Sequence, residues 1–247
     1  MLGLPEGIAG CVFDLDGVLT DTAAIHADAW KQMFDGYLRA YAERTGQPFV
    51  PFDKGSDYAD YVDGMPRYDG VRSFLASRQI HMPDGSPSDP PDVETVCGLG
   101  NRKNDLVLSL IETRGVEPYD GSVRFVEAAR DRGLRRAVAS SSTNCRHVLA
   151  AAGIEDLFEV VIDGVVAERE HMQGKPAPDT FLAAARALEL EPTRAAVFED
   201  ALAGVAAGQA GEFGYVVGVD RAHHGQALLD HGATVVVQDL AELLEPG

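Results

Sequence analysis

From Gly115 onward the chain alternates short apolar runs with helical periodicities, and no other feature constrains its fold as strongly. That spacing belongs to βαβ units, in which each strand returns parallel to the last through a helix lying on the sheet. Strands are predicted at residues 136–140, 160–162, 195–198, 215–219 and 234–237. Helices are predicted between or after them at 122–132, 145–152, 179–188, 201–210 and 225–231. One more strand, 10–13, stands alone near the start, because a long helical region follows it.

That helical region interrupts the α/β pattern from about Thr22 to Arg114 and is richer in Asp, Tyr and polar residues. Ala29, Met33, Phe34, Tyr37 and Tyr41 recur at helical spacing, which predicts a small helical module. Within it the Pro-, Ser- and Asp-rich stretch 83–92 reads as a loop. The fold class is therefore α/β: a Rossmann-like parallel sheet flanked by helices, with a helical cap domain inserted after the first strand. Residues 1–21 and 115–247 form the expected catalytic core and 22–114 the expected cap. A module so placed would overhang the carboxyl ends of the strands, where ligands bind in open α/β sheets.

Size and charge narrow the function. A chain of 247 residues with 45% hydrophobic content can bury a full core. Its formal net charge is −18, with no cluster of Lys and Arg, so it lacks the electrostatic footprint of a nucleic-acid binder. A phosphate substrate would be repelled by that field and would need individual cations at its site. The three cysteines, Cys11, Cys97 and Cys145, are widely spaced and form no C-x-x-C pair, which argues against a disulfide framework or a zinc site. A reducing, cytoplasmic setting is expected. No apolar stretch approaches the roughly 18 residues a membrane span requires. A monomer acting on a small molecule, with no nucleic-acid or membrane partner, is the expectation.

The chemistry concentrates where predicted strands end. In Cys11-Val-Phe-Asp14-Leu-Asp16-Gly two carboxylates stand at i and i+2, on one side of an extended chain, just before a glycine turn. Two anions there repel one another unless a cation lies between them. Glu199 and Asp200 follow the strand 195–198, which puts a second acidic pair at the same edge of the sheet. Such an oxygen-rich set suits Mg²⁺, which takes a few carboxylates, waters and a substrate phosphate; Asp200 could equally cap the next helix. Ser140, Ser141, Ser142, Thr143 and Asn144 precede a predicted helix and offer hydroxyls and backbone N–H groups to a phosphate, or simply cap that helix. Lys175, in Gly-Lys-Pro-Ala-Pro-Asp, offers a cation that would also keep Asp14 ionised.

Taken together and in this order, the Asp14-x-Asp16-Gly-Val-Leu-Thr-Asp-Thr segment, Ser140, Lys175 with its prolines, and Glu199-Asp200 resemble the four motifs of the haloacid dehalogenase-like phosphotransferases. Within that superfamily the chain is similar to the β-phosphoglucomutase family. The likeness extends to His26, Trp30, Gly64, Arg67 and Lys103 in the insert, where that family keeps cap and substrate residues. The resemblance implies that Asp14 attacks phosphorus and forms an aspartyl phosphate, while Asp16 gives and takes the proton. It implies Mg²⁺ held by the Asp14 carboxylate, the Asp16 carbonyl and Asp200, with Glu199 close by. Ser140 and Lys175 would hold the transferring phosphoryl group. Arg67 would grip the far phosphate of a sugar phosphate, with Ser142 and Asn144 beside it and Ser141 in the same loop, and His26 and Lys103 would meet the sugar or help couple cap closure to Asp16.

The expected reaction is conversion of β-glucose 1-phosphate to glucose 6-phosphate, or alternatively hydrolysis of a sugar phosphate by the same first step. Two departures from the family pattern stand out. Thr143 replaces a lysine in the loop after Ser140, leaving Arg146 as the cation placed to compensate, and the insert is longer than the family's over residues 80–99.

Overall fold

The computed structural model describes residues 2–221 and 223–244. Among them six parallel strands form one sheet: β1 (Gly10–Phe13), β2 (Arg135–Ala139), β3 (Val160–Ile162), β4 (Ala195–Glu199), β5 (Tyr215–Val219) and β6 (Val235–Val237), in the spatial order β3-β2-β1-β4-β5-β6. The helices are α1 (Ala23–Thr45), α2 (Ser56–Tyr61), α3 (Arg67–Ser77), α4 (Val96–Arg114), α5 (Asp120–Asp131), α6 (Cys145–Ala151), α7 (Gly164–Arg169), α8 (Asp179–Ala187), α9 (Leu202–Ala210) and α10 (Gly225–Asp230). The fold class is thus α/β with a fully parallel sheet, as the alternating pattern predicts.

The chain divides into two compact units, Met1–Thr22 with Val116–Gly247, and Ala23–Gly115. In the first, β1 lies at the centre, paired with β2 on one side and β4 on the other. All four of its residues are buried, as a strand covered on both faces requires. Phe13 stacks on Phe198 of β4, ring centroids 4.5 Å apart, and meets Phe125 of α5 edge-on at 6.2 Å. Each such ring, fully buried, contributes about 1.5–3 kcal/mol of transfer free energy. On the other face Val12, Ala137, Val197, Phe181, Ala184 and Val205 form a second apolar layer under α8 and α9. The chain builds β2 and β3 to one side of β1 and then returns to place β4 on the other. This order reverses direction between β1 and β4, and the crevice at their carboxyl ends is where a ligand is expected.

The helical unit Ala23–Gly115 has its own core. α1 buries Ala29, Trp30, Met33, Phe34, Tyr37 and Leu38 on one stripe. Phe34 meets Phe74 of α3 at 4.1 Å and stacks on Trp30 at 5.2 Å and Phe52 at 5.3 Å. Leu99 of α4 and Val71 of α3 complete the cluster.

Two differences from the sequence pattern have local causes. β2 begins and ends one residue earlier than the apolar run suggests, because Gly10 of β1 pairs with Arg135 and sets the register. α7 was not expected at all. It has six residues, too few for a helical periodicity to register, and its start is fixed by Asp163, whose carboxylate accepts from the Val166 N–H at 2.8 Å. Among the described residues no helix is long and apolar enough to cross a membrane.

Candidate active site

The register of the two central strands builds the site. Phe13 is level with Phe198, and the Asp14 N–H continues the ladder by donating to the Phe198 carbonyl at 2.9 Å. Asp14 and Glu199 are therefore neighbours on adjacent parallel strands, where both side chains leave on the same side of the sheet. Lys175 resolves their repulsion. Its Nζ donates to Asp14 Oδ1 at 2.5 Å and to Glu199 Oε2 at 2.7 Å, and its side chain is fully buried. Phe181 of α8 presents its ring 4.8 Å from the same ammonium.

One lysine does not fully compensate two buried carboxylates. Burial raises the Asp14 pKa; Lys175 opposes that shift and the charge of Asp16 adds to it. Glu199 is pushed up to about 8, chiefly by burial and then by Asp14, against the pull of Lys175. For Lys175, burial alone would lower the pKa, but Asp14 and Glu199 outweigh it and the net shift is upward. The ion pairs keep the lysine charged, and the carboxylates still lack positive charge. Asp14, Glu199 and Asp200, all buried, place one ligand oxygen each within 4.8 Å of the others, so a divalent cation fits the donor set.

Gly17 ties the two acidic pairs together. It sits at φ +83°, and a Cβ there would run into the Asp200 carboxylate. Only glycine satisfies both the backbone and the close approach. Asp200 is not the side-chain cap of the next helix: the N-cap of α9 is Ala201, and no side chain bonds there. At Gly204, in the first turn of α9, an added Cβ would likewise run into the carboxyl group of Glu199.

Asp16 is placed by a loop and not by the strand. β1 ends at Phe13, and the chain curls so that Asp16 bridges to Thr20 and the Gly17 N–H donates to Thr20 O at 2.9 Å. The Thr22 hydroxyl donates to the Asp16 carboxylate, and Thr22 is itself hydrogen-bonded to the buried Thr20 hydroxyl at 2.8 Å. The extended geometry assumed for the i, i+2 pair is corrected accordingly. Asp16 nevertheless stays beside Asp14, since its N–H bonds the Asp14 carboxylate.

The residues 140–144 follow β2. Ser140 is buried; its N–H donates to Ile162 O at 3.0 Å and its Oγ accepts from the Ser142 N–H at 3.1 Å. Ser142 Oγ accepts from the Asn144 N–H at 3.1 Å, so these hydroxyls shape their own loop, in which Ser141 and Thr143 also lie half-buried. The N-cap of α6 is Asn144, without a side-chain cap bond. Arg146 does not stand in for the missing lysine: its guanidinium reaches Asp163 at 3.4 Å and the Val161 carbonyl at 3.3 Å.

The remaining candidates belong to the helical unit. His26 Nδ1 and Lys103 Nζ are 2.9 Å apart, and burial, followed by the Lys103 charge, lowers the His26 pKa well below its usual value. A neutral imidazole therefore accepts from a charged ammonium. Trp30 is a core residue whose ring centroid lies 4.9 Å from Lys103 Nζ. Gly64 turns the chain at φ +70° ahead of Pro66, the N-cap of α3, and Arg67 is the first residue of that helix. The sequence offered no distinct signal for two contacts in the first unit: Arg221 Nε donates to the Gly17 carbonyl at 3.1 Å, and His224 Nε2 lies 3.3 Å from the Asp200 carbonyl. Both come from the loop after β5, and neither belongs to a motif.

The fold and site are those of an α/β protein whose parallel sheet brings a buried lysine and three carboxylates together at the carboxyl ends of its two central strands. The haloacid dehalogenase-like hydrolase family model matches residues 8–211, and the chain belongs to that family. It is 58% identical over 247 residues to the β-phosphoglucomutase of Mycobacterium tuberculosis, covering 99% of this chain and 94% of that protein. It is 30% identical over 233 residues to the β-phosphoglucomutase of Bacillus subtilis, covering 94% and 90%. The crystal structure of a Clostridium difficile β-phosphoglucomutase superposes with a TM-score of 0.73 over 96% of this chain and 94% of that one; at 24% identity the likeness speaks for the fold alone.

Proposed function

We propose that this chain is a magnesium-dependent β-phosphoglucomutase, interconverting β-glucose 1-phosphate and glucose 6-phosphate through an aspartyl phosphate. The observation that carries this reading is the buried Lys175 held between Asp14 and Glu199, with Asp200 within ligand distance. It stands in a chain that shares 58% identity with a β-phosphoglucomutase along nearly its full length.

Asp14 Oδ attacks one phosphorus of β-glucose 1,6-bisphosphate, the bond to the leaving sugar oxygen breaks, and Asp16 delivers a proton to that oxygen, so that glucose 6-phosphate leaves a phosphorylated Asp14. β-Glucose 1-phosphate then binds, Asp16 takes the proton of its 6-hydroxyl as that oxygen attacks the aspartyl phosphate, and the bisphosphate so formed reorients over a regenerated Asp14. Thr22 orients Asp16 by its hydrogen bond. Lys175 screens Asp14 and presents positive charge to the transferring oxygens, with Ser140 beside it. Glu199 has one oxygen on Lys175 and the other on the Ala201 N–H, which makes it the anchor of that lysine. The Asp14 and Asp200 carboxylates and the Asp16 carbonyl would hold Mg²⁺, which when bound neutralises repulsion between nucleophile and phosphate. Arg67 binds the distal phosphate, and His26 with Lys103, backed by Trp30, meets the sugar. Cys11, Cys97 and Cys145 are buried free thiols, which suits a reducing cytoplasm.

The test is incubation with Mg²⁺, β-glucose 1-phosphate and a trace of β-glucose 1,6-bisphosphate, following glucose 6-phosphate and free phosphate together. Glucose 6-phosphate should accumulate well ahead of phosphate, and Asp14→Asn should lose at least about a thousand-fold in turnover. Phosphate release without glucose 6-phosphate would instead identify a sugar-phosphate phosphatase.

A further inference from the structure

The long segment between α3 and α4, residues 80–95, is built against the helix that carries Arg67. Its carbonyls cover the start of α4: the Val96 and Cys97 N–H groups donate to Pro83 O at 2.9 Å and Asp84 O at 3.0 Å, and Thr95 caps the Gly98 N–H at 2.9 Å. Arg102 Nε donates to Pro91 O at 2.7 Å, and Asp84 pairs with Arg72 of α3 at 2.7 Å. The segment therefore braces α3 and α4 together.

One side chain of α4 carries that bracing inward. The Asn101 amide nitrogen donates to two carbonyls of the loop, Pro87 O at 3.1 Å and Asp89 O at 2.9 Å. With both donors used, the amide oxygen must face the other way, and there it accepts from the Tyr68 hydroxyl at 2.9 Å. A hydroxyl has one proton. Because that proton goes to Asn101, the Tyr68 oxygen turns lone pairs to Arg67, whose Nη2 donates to it at 3.3 Å. The ring adds to the hold: the Arg67 guanidinium carbon lies 4.9 Å from the Tyr68 centroid, and Nη1 donates to Asn104 Oδ1 at 3.2 Å. The Tyr68 ring in turn rests on Gly100, where a Cβ would approach its carbons to 2.6 Å.

We propose that Tyr68 and Asn101 are positioning residues that transmit the fixed conformation of the 83–92 loop to the Arg67 guanidinium, and so set the enzyme's preference for sugars bearing a second phosphate. The proposal rests on the reading of Arg67 as the distal-phosphate ligand. Its physical basis is entropic as well as polar. A free arginine has many rotamers, and holding the guanidinium in place before binding removes a cost that the phosphate would otherwise bear.

The full-length enzyme tests this with Tyr68→Phe, Asn101→Ala, Arg67→Ala and the double variant Tyr68→Phe/Arg67→Ala. Each is assayed for the mutase reaction with β-glucose 1,6-bisphosphate as activator and for hydrolysis of p-nitrophenyl phosphate, which has no second phosphate. Tyr68→Phe keeps the ring, and it should raise KM for the bisphosphate so that mutase kcat/KM falls about ten-fold more than aryl phosphate hydrolysis. Asn101→Ala should show the same split. The double variant should be no worse than Arg67→Ala alone, because the relay acts only through that arginine. Equal losses in both reactions, or losses that add fully to those of Arg67→Ala, would overturn the relay while leaving the role of Arg67 intact. An Arg67→Ala enzyme with wild-type mutase kinetics would overturn the reading of Arg67 and the relay with it. Should Tyr68→Phe not fold, as judged by circular dichroism, the split in Asn101→Ala decides the question.

Discussion

Gly17 leaves its α-carbon bare against the Asp200 carboxylate, although the two residues are separated by most of the chain. The glycine of the Asp-x-Asp-Gly motif therefore does more than turn the backbone: it lets the loop after β1 and the end of β4 close on the same small volume.

Gly17→Ala should damage the site twice. The left-handed φ would cost roughly 1–2 kcal/mol, and the added methyl would displace Asp200 from Asp14. A lower melting temperature and a Mg²⁺ affinity weakened about ten-fold or more, measured by calorimetric titration, are expected. Unchanged Mg²⁺ binding would show that Asp200 does not need this approach.

Removing the buried cation should be more costly still. Lys175→Met leaves the buried Asp14 and Glu199 facing one another without a counter-charge, a loss of about 3–5 kcal/mol in urea unfolding at neutral pH. Lys175→Met/Glu199→Gln should recover part of that stability by removing one of the two anions, yet remain inactive. A double variant no more stable than the single one would mean that the lysine acts by packing on Phe181 and not by charge.

Metal removal should expose the unmatched charge as a pH effect. Glu199 has a folded pKa near 8, above its ordinary value, so the fold favours the protonated form. Its contribution to stability is present below the unfolded pKa of roughly 4.5 and is lost as pH rises towards 8. Asp14 shifts in the same direction. In EDTA the protein should therefore lose stability between pH 6 and 8 relative to Glu199→Gln, and Mg²⁺ should bind more tightly at pH 8 than at pH 6 with release of protons. The proton count follows from titration calorimetry in buffers of different ionisation enthalpy. Mg²⁺ binding that is independent of pH over this range would show that the ion is not coupled to the ionisation of Asp14 and Glu199.

Much of this was legible beforehand. Short apolar runs such as Cys11-Val-Phe and Ala195-Ala-Val-Phe announce buried strands because each residue must be apolar on both faces of a covered sheet. Asp14, Glu199 and Asp200 could be placed at strand ends for the same reason. The curl that carries Asp16 was not legible, since it depends on hydrogen bonds among Gly17, Thr20 and Thr22 that no periodicity encodes. Trp30 resembled a substrate residue in the pattern; its burial among Phe34 and Phe74 gives it first a place in the core.

Sequence by itself determined where the chain is extended, where it is helical and which residue types stand at the strand ends, because these follow from local alternation of apolar and polar side chains. Tertiary structure alone decided that Lys175 lies between Asp14 and Glu199, that Arg221 reaches the Gly17 carbonyl, and that the 83–92 loop turns the Asn101 amide towards Tyr68. Those relationships depend on strand order, register and the direction of single protons. They are set by packing between segments far apart in the chain, where local pattern carries no information.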